Sequence, residues 1–256
     1  MDINNFVVDH VLRGTAFSQK DGSVLFTINQ IQNPSLNCAS ESTDAVDALG
    51  TPIATFYRAK SAEFSAENAL FDMNLMATQL GTTKKVATAD AKITVPAFET
   101  IDYVAGTTTY TLKHTPKVAP TEIYKLNGDS TLGIKYTAGT GSSGTATEFV
   151  INGVTLTAPT GLVTGDQLYV MYEYESDSAA SVINSAKNFP TGCKFVMEVL
   201  GCDVCDQTTQ IFAYLVFNNA KLSPDFDWSI ATDGAHPFSM RAQQDLNIRS
   251  LVAKAA

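Results

Sequence analysis

Histidine and tryptophan are nearly missing from this sequence, at three and one, and cysteine occurs four times in 256 residues. So few nitrogen and sulfur ligands leave little from which to build a metal centre. Cys202 and Cys205 form a C-x-x-C, but Cys38 and Cys193 stand singly, so the second pair that a zinc site requires is lacking. A thioredoxin-like site would open a helix in a βαβ setting. GCDVCDQ instead lies between two strand-like runs, and reduced, unligated thiols in a turn are expected there. His10, His114 and His236 sit in unrelated segments, none with a ligand-spaced neighbour. No metal and no cofactor is expected.

Positive charge is also short, with 17 Lys and Arg against 26 Asp and Glu and a net charge of −9. The absence of any basic run excludes a grip on nucleic acid through its phosphates. No apolar run approaches the ~20 residues of a membrane-spanning helix. The N-terminus, MDINNFVVDH, lacks a basic region followed by an apolar core, so synthesis and folding in a cytoplasm are expected, without a membrane partner. Also missing are a G-x-S-x-G elbow, a phosphate-binding glycine loop and an H-E-x-x-H. Acidic pairs do occur, Asp203 with Asp206 and Asp225 with Asp227. Strand alternation would put the second pair on one face, but any solvated edge strand does the same, and no groove is implied. Tyr169, Tyr172 and Tyr174 could stack on sugars or bases, although cross-strand packing is the plainer use. No catalytic residue emerges, and the chain does not read as an enzyme.

What is present is β chemistry. Hydrophobic residues make up 45% of the chain and charged ones only 17%, so polarity rests largely on Thr, Ser and Asn, which suit solvent-facing strand positions and turns. The exception is Ala66 to Gly81. There Ala66, Ala69, Leu70, Met73, Met76, Ala77 and Leu80 recur at helical spacing, Ser65 can cap the N-terminus, and Gly81 suits a left-handed C-cap. A helix over about 66–80, packed on a sheet, is expected. Residues 1–20 read as an arm or first strand, Ser23 to Ile31 as a strand, 33–52 as a loop, and Ile53 to Phe64 as a strand leading into the helix. Pro96 should end its strand or confine it to an edge. Phe195 to Leu200 and Ile211 to Phe217 are strongly apolar strands, the second expected to be buried on both faces. The ending, LSPDFDWSIATDGAHPFSMRAQQDL, reads as two strands around a turn at Asp233-Gly234.

From Tyr103 to Tyr174 short Thr- and Tyr-rich strands alternate with turns. Asn127-Gly128 and Asn152-Gly153 are hairpin signals, and GTGSSG at Gly139 to Gly144 is a flexible tip. Two readings stand: a small immunoglobulin-like sandwich at 103–176 inserted in a main domain of 1–102 and 177–256, or an extension of the main sheet.

Taken in order, DALGTPIATFYRAKSAEFSAENALFDMNLMATQLGT resembles the strand–helix core of bacteriophage tail tube (major tail) proteins, and NNAKLSPDFDWSIATDGAHPFSMRAQQDL is similar to their last strands. The resemblance covers about residues 22–100 and 190–250. It implies a β-sandwich flanked by a helix, hexameric rings stacked into a hollow tube of a virion tail, contacts with other tail proteins, and DNA passing without tight binding. Ring stacking would use loops such as 33–52 and the N-terminal arm. It carries over no catalytic residues. A capsid decoration protein, a surface adhesin or a carbohydrate-active sandwich remain alternatives. If a tube forms, strand alternation offers Glu198, pointing away from the face of Met197 and Val199, as a lumen-facing residue, with Asp206 second.

Overall fold

The structure, a computed structural model, describes residues 6–204, 208–229, 231–232, 234–243, 248–249 and 254–255. The chain forms two compact units, Met1–Lys84 with Val182–Ala256, and Lys85–Ser181. The first begins with β1 (Phe6–Ser18), β2 (Val24–Ile28), β3 (Ile31–Val46), β4 (Pro52–Asn68) and α1 (Met73–Gln79). The second holds β5 (Lys85–Val86), β6 (Ile93–Asp102), β7 (Thr109–Thr111), β8 (Glu122–Leu126), β9 (Leu132–Ala138), β10 (Glu148–Asn152), β11 (Thr155–Thr157), β12 (Gln167–Ser176) and β13 (Ala180–Ser181). The chain returns to the first as β14 (Gly192–Asp203), β15 (Gln210–Leu222), β16 (His236–Ala242), β17 (Ile248–Arg249) and β18 (Lys254–Ala255). With 56% strand and a single helix of 3%, the fold is mainly β, as the composition requires.

In the first unit the strand order is β2-β1-β14-β15-β16-β4-β3, with β17 and β18 also on β15. Period-2 alternation selects the core. Cys193, Phe195, Met197 and Val199 of β14 and Ile211, Ala213, Leu215 and Phe217 of β15 are buried in turn. From β4 and β16 come Ala62, Phe64, Phe238 and Met240. Phe64 is central, its ring centroid 5.8 Å from Phe195, 6.0 Å from Phe238 and 6.2 Å from Phe217. Gly14, paired with Met197, leaves room for this cluster, since a Cβ there would lie 2.7 Å from the Phe195 ring. The second face of β15 departs from expectation: Phe212, Tyr214 and Val216 are half-buried.

The helix is shorter than its apolar spacing predicts, running Met73–Gln79 rather than from Ala66. Ser65 and Ala66 instead pair with Ser239 and Phe238 of β16, and Ala62, Phe64 and Ala66 alternate into the core. Those residues satisfy a strand period as well as a helical one, and the neighbouring strand decides. Asp72, not Ser65, is the N-cap, accepting from Asn74 N at 2.8 Å and Leu75 N at 2.7 Å. The C-terminal expectation holds. Gly81 has φ +66°, and its N–H and that of Thr82 bond back to the Thr78 and Ala77 carbonyls.

Residues 33–52 are no loop. Most belong to β3 and the start of β4, a hairpin closed by Asp47, whose Oδ1 accepts from Leu49 N and Thr51 N, both at 2.8 Å. β3 is polar on both faces, so alternation could not reveal it. In the stretch read as two strands, β16 is the one new strand among the described residues: residues 223–229 are irregular, and Asp233 lies outside the described residues.

The second unit carries the order β6-β12-β8-β9-β10-β11-β7 and a small β13-β5 pair. Its core includes Ile123, Phe149, Leu156, Leu168 and Val170. The expected boundary near 103 would leave β6 in the first unit, but β6 pairs with β12 from Ile93↔Ser176 to Asp102↔Gln167 and lies in the second. Pro96 is tolerated because β6 is an edge strand. Both asparagine–glycine signals mark hairpins, β8–β9 and β10–β11. GTGSSG instead joins β9 to β10, which pair in parallel.

Candidate assembly surface

The residues singled out for chemistry do not converge. Among the described residues no group of three or more His, Cys, Asp or Glu could hold a metal ion. Cys202, next to the last residue of β14, is a free thiol, and Cys205 lies outside the described residues, as does Asp206. Asp225 and Asp227 flank Phe226 in the irregular segment, where with Glu67, Ser65 and Ser239 they line an open cleft of about 330 Å³. The tyrosines divide. The Tyr172 hydroxyl, buried, donates to Glu99, Tyr169 stacks on Phe98 at 6.4 Å, and Tyr174 stacks on His114 at 3.8 Å.

Glu198 stands on the face of β14 opposite Met197 and Val199, as alternation requires. Arg13 of β1 and Tyr214 of β15 are its direct cross-strand partners. Arg13 Nε donates to Glu198 Oε2 at 2.6 Å and Tyr214 Oη donates to Oε1 at 3.1 Å. The same carboxylate raises the Tyr214 hydroxyl above its ordinary pKa by accepting its proton in that bond.

The largest feature that sequence reasoning missed is the β3–β4 ribbon. β16 supports β4 only between Glu63 and Asn68, whereas β3 and β4 pair on to Val46↔Pro52. Outward of Ala62 no third strand pairs with the ribbon among the described residues, and residues 39–58 are exposed on both faces. At ~3.4 Å per residue, Ala39–Val46 alone spans about 27 Å. Along it stand Phe56, 56% exposed, Ile53, 71%, Tyr57, 73%, and Leu49 at the tip, 91%. Charges are mixed, with Glu41 opposite Arg58. An isolated two-stranded ribbon is marginal in water, and the outer edge of β3 offers unpaired backbone groups. Its one signal in the sequence is Asp47-Ala48-Leu49-Gly50, a turn between two Thr- and Ser-bearing runs.

A mainly β chain with a long ribbon that is exposed on both faces and carries aromatic side chains has the form of a structural building block rather than of a small-molecule site. The sequence matches the YomU/Tube protein family over residues 6–245, and the chain belongs to that family, a phage tail tube family. No curated protein matches it. Membership makes it a structural protein of the virion tail, and no helix among the described residues is long and apolar enough to cross a membrane.

Proposed function

We propose that the protein polymerises as stacked hexameric rings into the tube through which phage DNA passes, and that the β3–β4 ribbon is the element a neighbouring copy covers. The observation that carries this reading is a ribbon exposed on both faces with Leu49, Ile53, Phe56 and Tyr57 along it. Covering such side chains is worth about 25 cal/mol per Å² of apolar area, and pairing the β3 edge removes its unpaired backbone groups. Glu198 and Asp206 are the lumen-facing residues of the reading. The Arg13 partner makes the Glu198 patch close to neutral rather than strongly acidic, which suits a surface that must not hold DNA. The unit at 85–181 is a peripheral, immunoglobulin-like module in this reading.

The test compares wild type with a Phe56→Asp/Tyr57→Asp variant by light scattering and negative-stain microscopy. Wild type should form hexamers, rings or tubes at high concentration. The variant should remain monomeric with an unchanged far-ultraviolet spectrum. A wild type that stays monomeric with and without other tail components overturns the proposal, and particles on capsids would favour a decoration protein.

A further inference from the structure

At the root of the ribbon, near the entry to α1, lies the only buried histidine of the three. His236 is 1% exposed and opens β16, where its register partner is Asn68, the last residue of β4. Its Nε2 lies 2.8 Å from Gln79 Oε1, and the Gln79 amide is oriented by its own Nε2, which donates to the Pro237 carbonyl at 3.2 Å. An amide oxygen only accepts, so the ring carries its proton on Nε2 and leaves a lone pair on Nδ1. Phe71 stacks on the imidazole at 5.3 Å and 19°, and Phe226 packs against it at 5.5 Å. Phe71 also stacks on Trp228 at 4.3 Å and 16°. One side chain thus ties together the end of β4, the last turn of α1, and the irregular segment bearing Phe226 and Trp228.

The tie is closed but under-satisfied. Among the described residues, His236 Nδ1 and Asn68 Oδ1 are buried without a hydrogen-bond partner. The Asn68 amide nitrogen donates to the Leu70 carbonyl, which turns its Oδ1 the other way. Two acceptors on register-paired residues of adjacent strands are thus each buried without a donor. Protonating Nδ1 puts a charge among aromatic rings away from water. Burial holds His236 below the usual histidine range, against the opposing pull of Asp72, the helix cap. The other charged groups on these elements are Arg58, Lys60, Glu63 and Glu67 on β4, with Glu67 beside Asn68, Asp225 and Asp227 flanking Phe226, and Arg241 on β16, while α1 contributes none.

We infer that His236, Gln79 and Asn68 form a proton-sensitive latch, which is closed while the imidazole is neutral and frees the Trp228 segment and the start of α1 when it is charged. The released ring takes a proton near its ordinary value of 6.5, the closed ring only at lower pH, so acid favours release over the window below 6.5. Because β4 continues from this point into the ribbon, the latch lets the pH of the surroundings set how firmly the root of the ribbon is held.

Trp228 is the sole tryptophan, so its emission reads the latch directly. Wild type titrated from pH 8 to 5 at constant ionic strength should show a reversible emission shift with a one-proton slope and a midpoint below 6.5. His236→Gln should be flat, and a His10→Gln/His114→Gln variant should keep the shift. Asn68→Asp, which places a carboxylate on the register partner of His236, should suppress it, because a negative charge beside the ring favours the protonated form in the closed state. A flat wild type overturns the latch. So does a shift that survives His236→Gln or, should that variant not fold, one unchanged in Asn68→Asp.

Discussion

Arg13 on β1 and Glu198 on β14 lie directly opposite each other, joined at 2.6 Å, with Tyr214 of β15 completing a row of three strands. Because the Arg13 side chain is 60% exposed, the pair should contribute only ~0.5–1 kcal/mol in a double-mutant cycle. Glu198→Lys loses the bond and sets two cations side by side, which should cost about 1–2 kcal/mol. The exchange Arg13→Glu/Glu198→Arg should recover most of that in denaturant unfolding. In tubes that carry the lysine, DNA passage should slow, and added salt should relieve the delay. Unchanged passage would remove Glu198 from the lumen.

The aromatic centre of the first unit should respond most steeply to truncation. Phe64 is 1% exposed and contacts three other phenylalanine rings, so Phe64→Ala should cost about 3–5 kcal/mol. Calorimetry should show the transition of that unit falling while the signal of the second unit holds.

Two glycines separate strain from open space. Gly81 combines φ +66° with a Cβ direction aimed at the Phe189 backbone, so Gly81→Ala should destabilise by at least ~1–2 kcal/mol from the left-handed backbone alone. Gly128 has open space around it and no positive φ, and Gly128→Ala should change the denaturation midpoint little.

Thiol reactivity offers a probe of assembly. Burial pushes the Cys193 thiol up to about 11, so it should resist alkylation at pH 8. Cys38 is exposed on β3 and should react quickly in the monomer. Formation of tubes should protect Cys38 if a neighbour covers the ribbon, as mass spectrometry after a short alkylation pulse would show.

Acid should weaken the second unit through Asp166. Lys125 Nζ at 2.8 Å and Val163 N at 3.0 Å hold that carboxyl below its usual value. A depressed carboxylate contributes stability above about 3.8, the ordinary value, and loses it as pH falls toward the lower folded-state value. Asp166→Asn should lower stability at pH 7 and flatten that part of the acid limb in unfolding followed against pH.

The sequence by itself determined the strand content, the alternation that buries Phe195, Met197, Leu168 and Val170, the hairpins at Asn127 and Asn152, and the left-handed stop at Gly81. Each is a local property, a period of two or a backbone angle that few residues accept. It also carried the family resemblance, and it put Glu198 opposite the core face. Tertiary structure decided the rest. Ser65 to Asn68 fit a helix as well as a strand, and the flanking strands β16 and β3 made them β. The polar β3 has no apolar face to announce it, and its pairing with β4 depends on a turn that joins two otherwise featureless runs. Arg13, 185 residues from Glu198 along the chain, became its partner through the register of β1 on β14, and Asn68 met His236 in the same way. Such contacts follow from which strands lie side by side, and strand order is settled by the burial of the whole core rather than by any one segment.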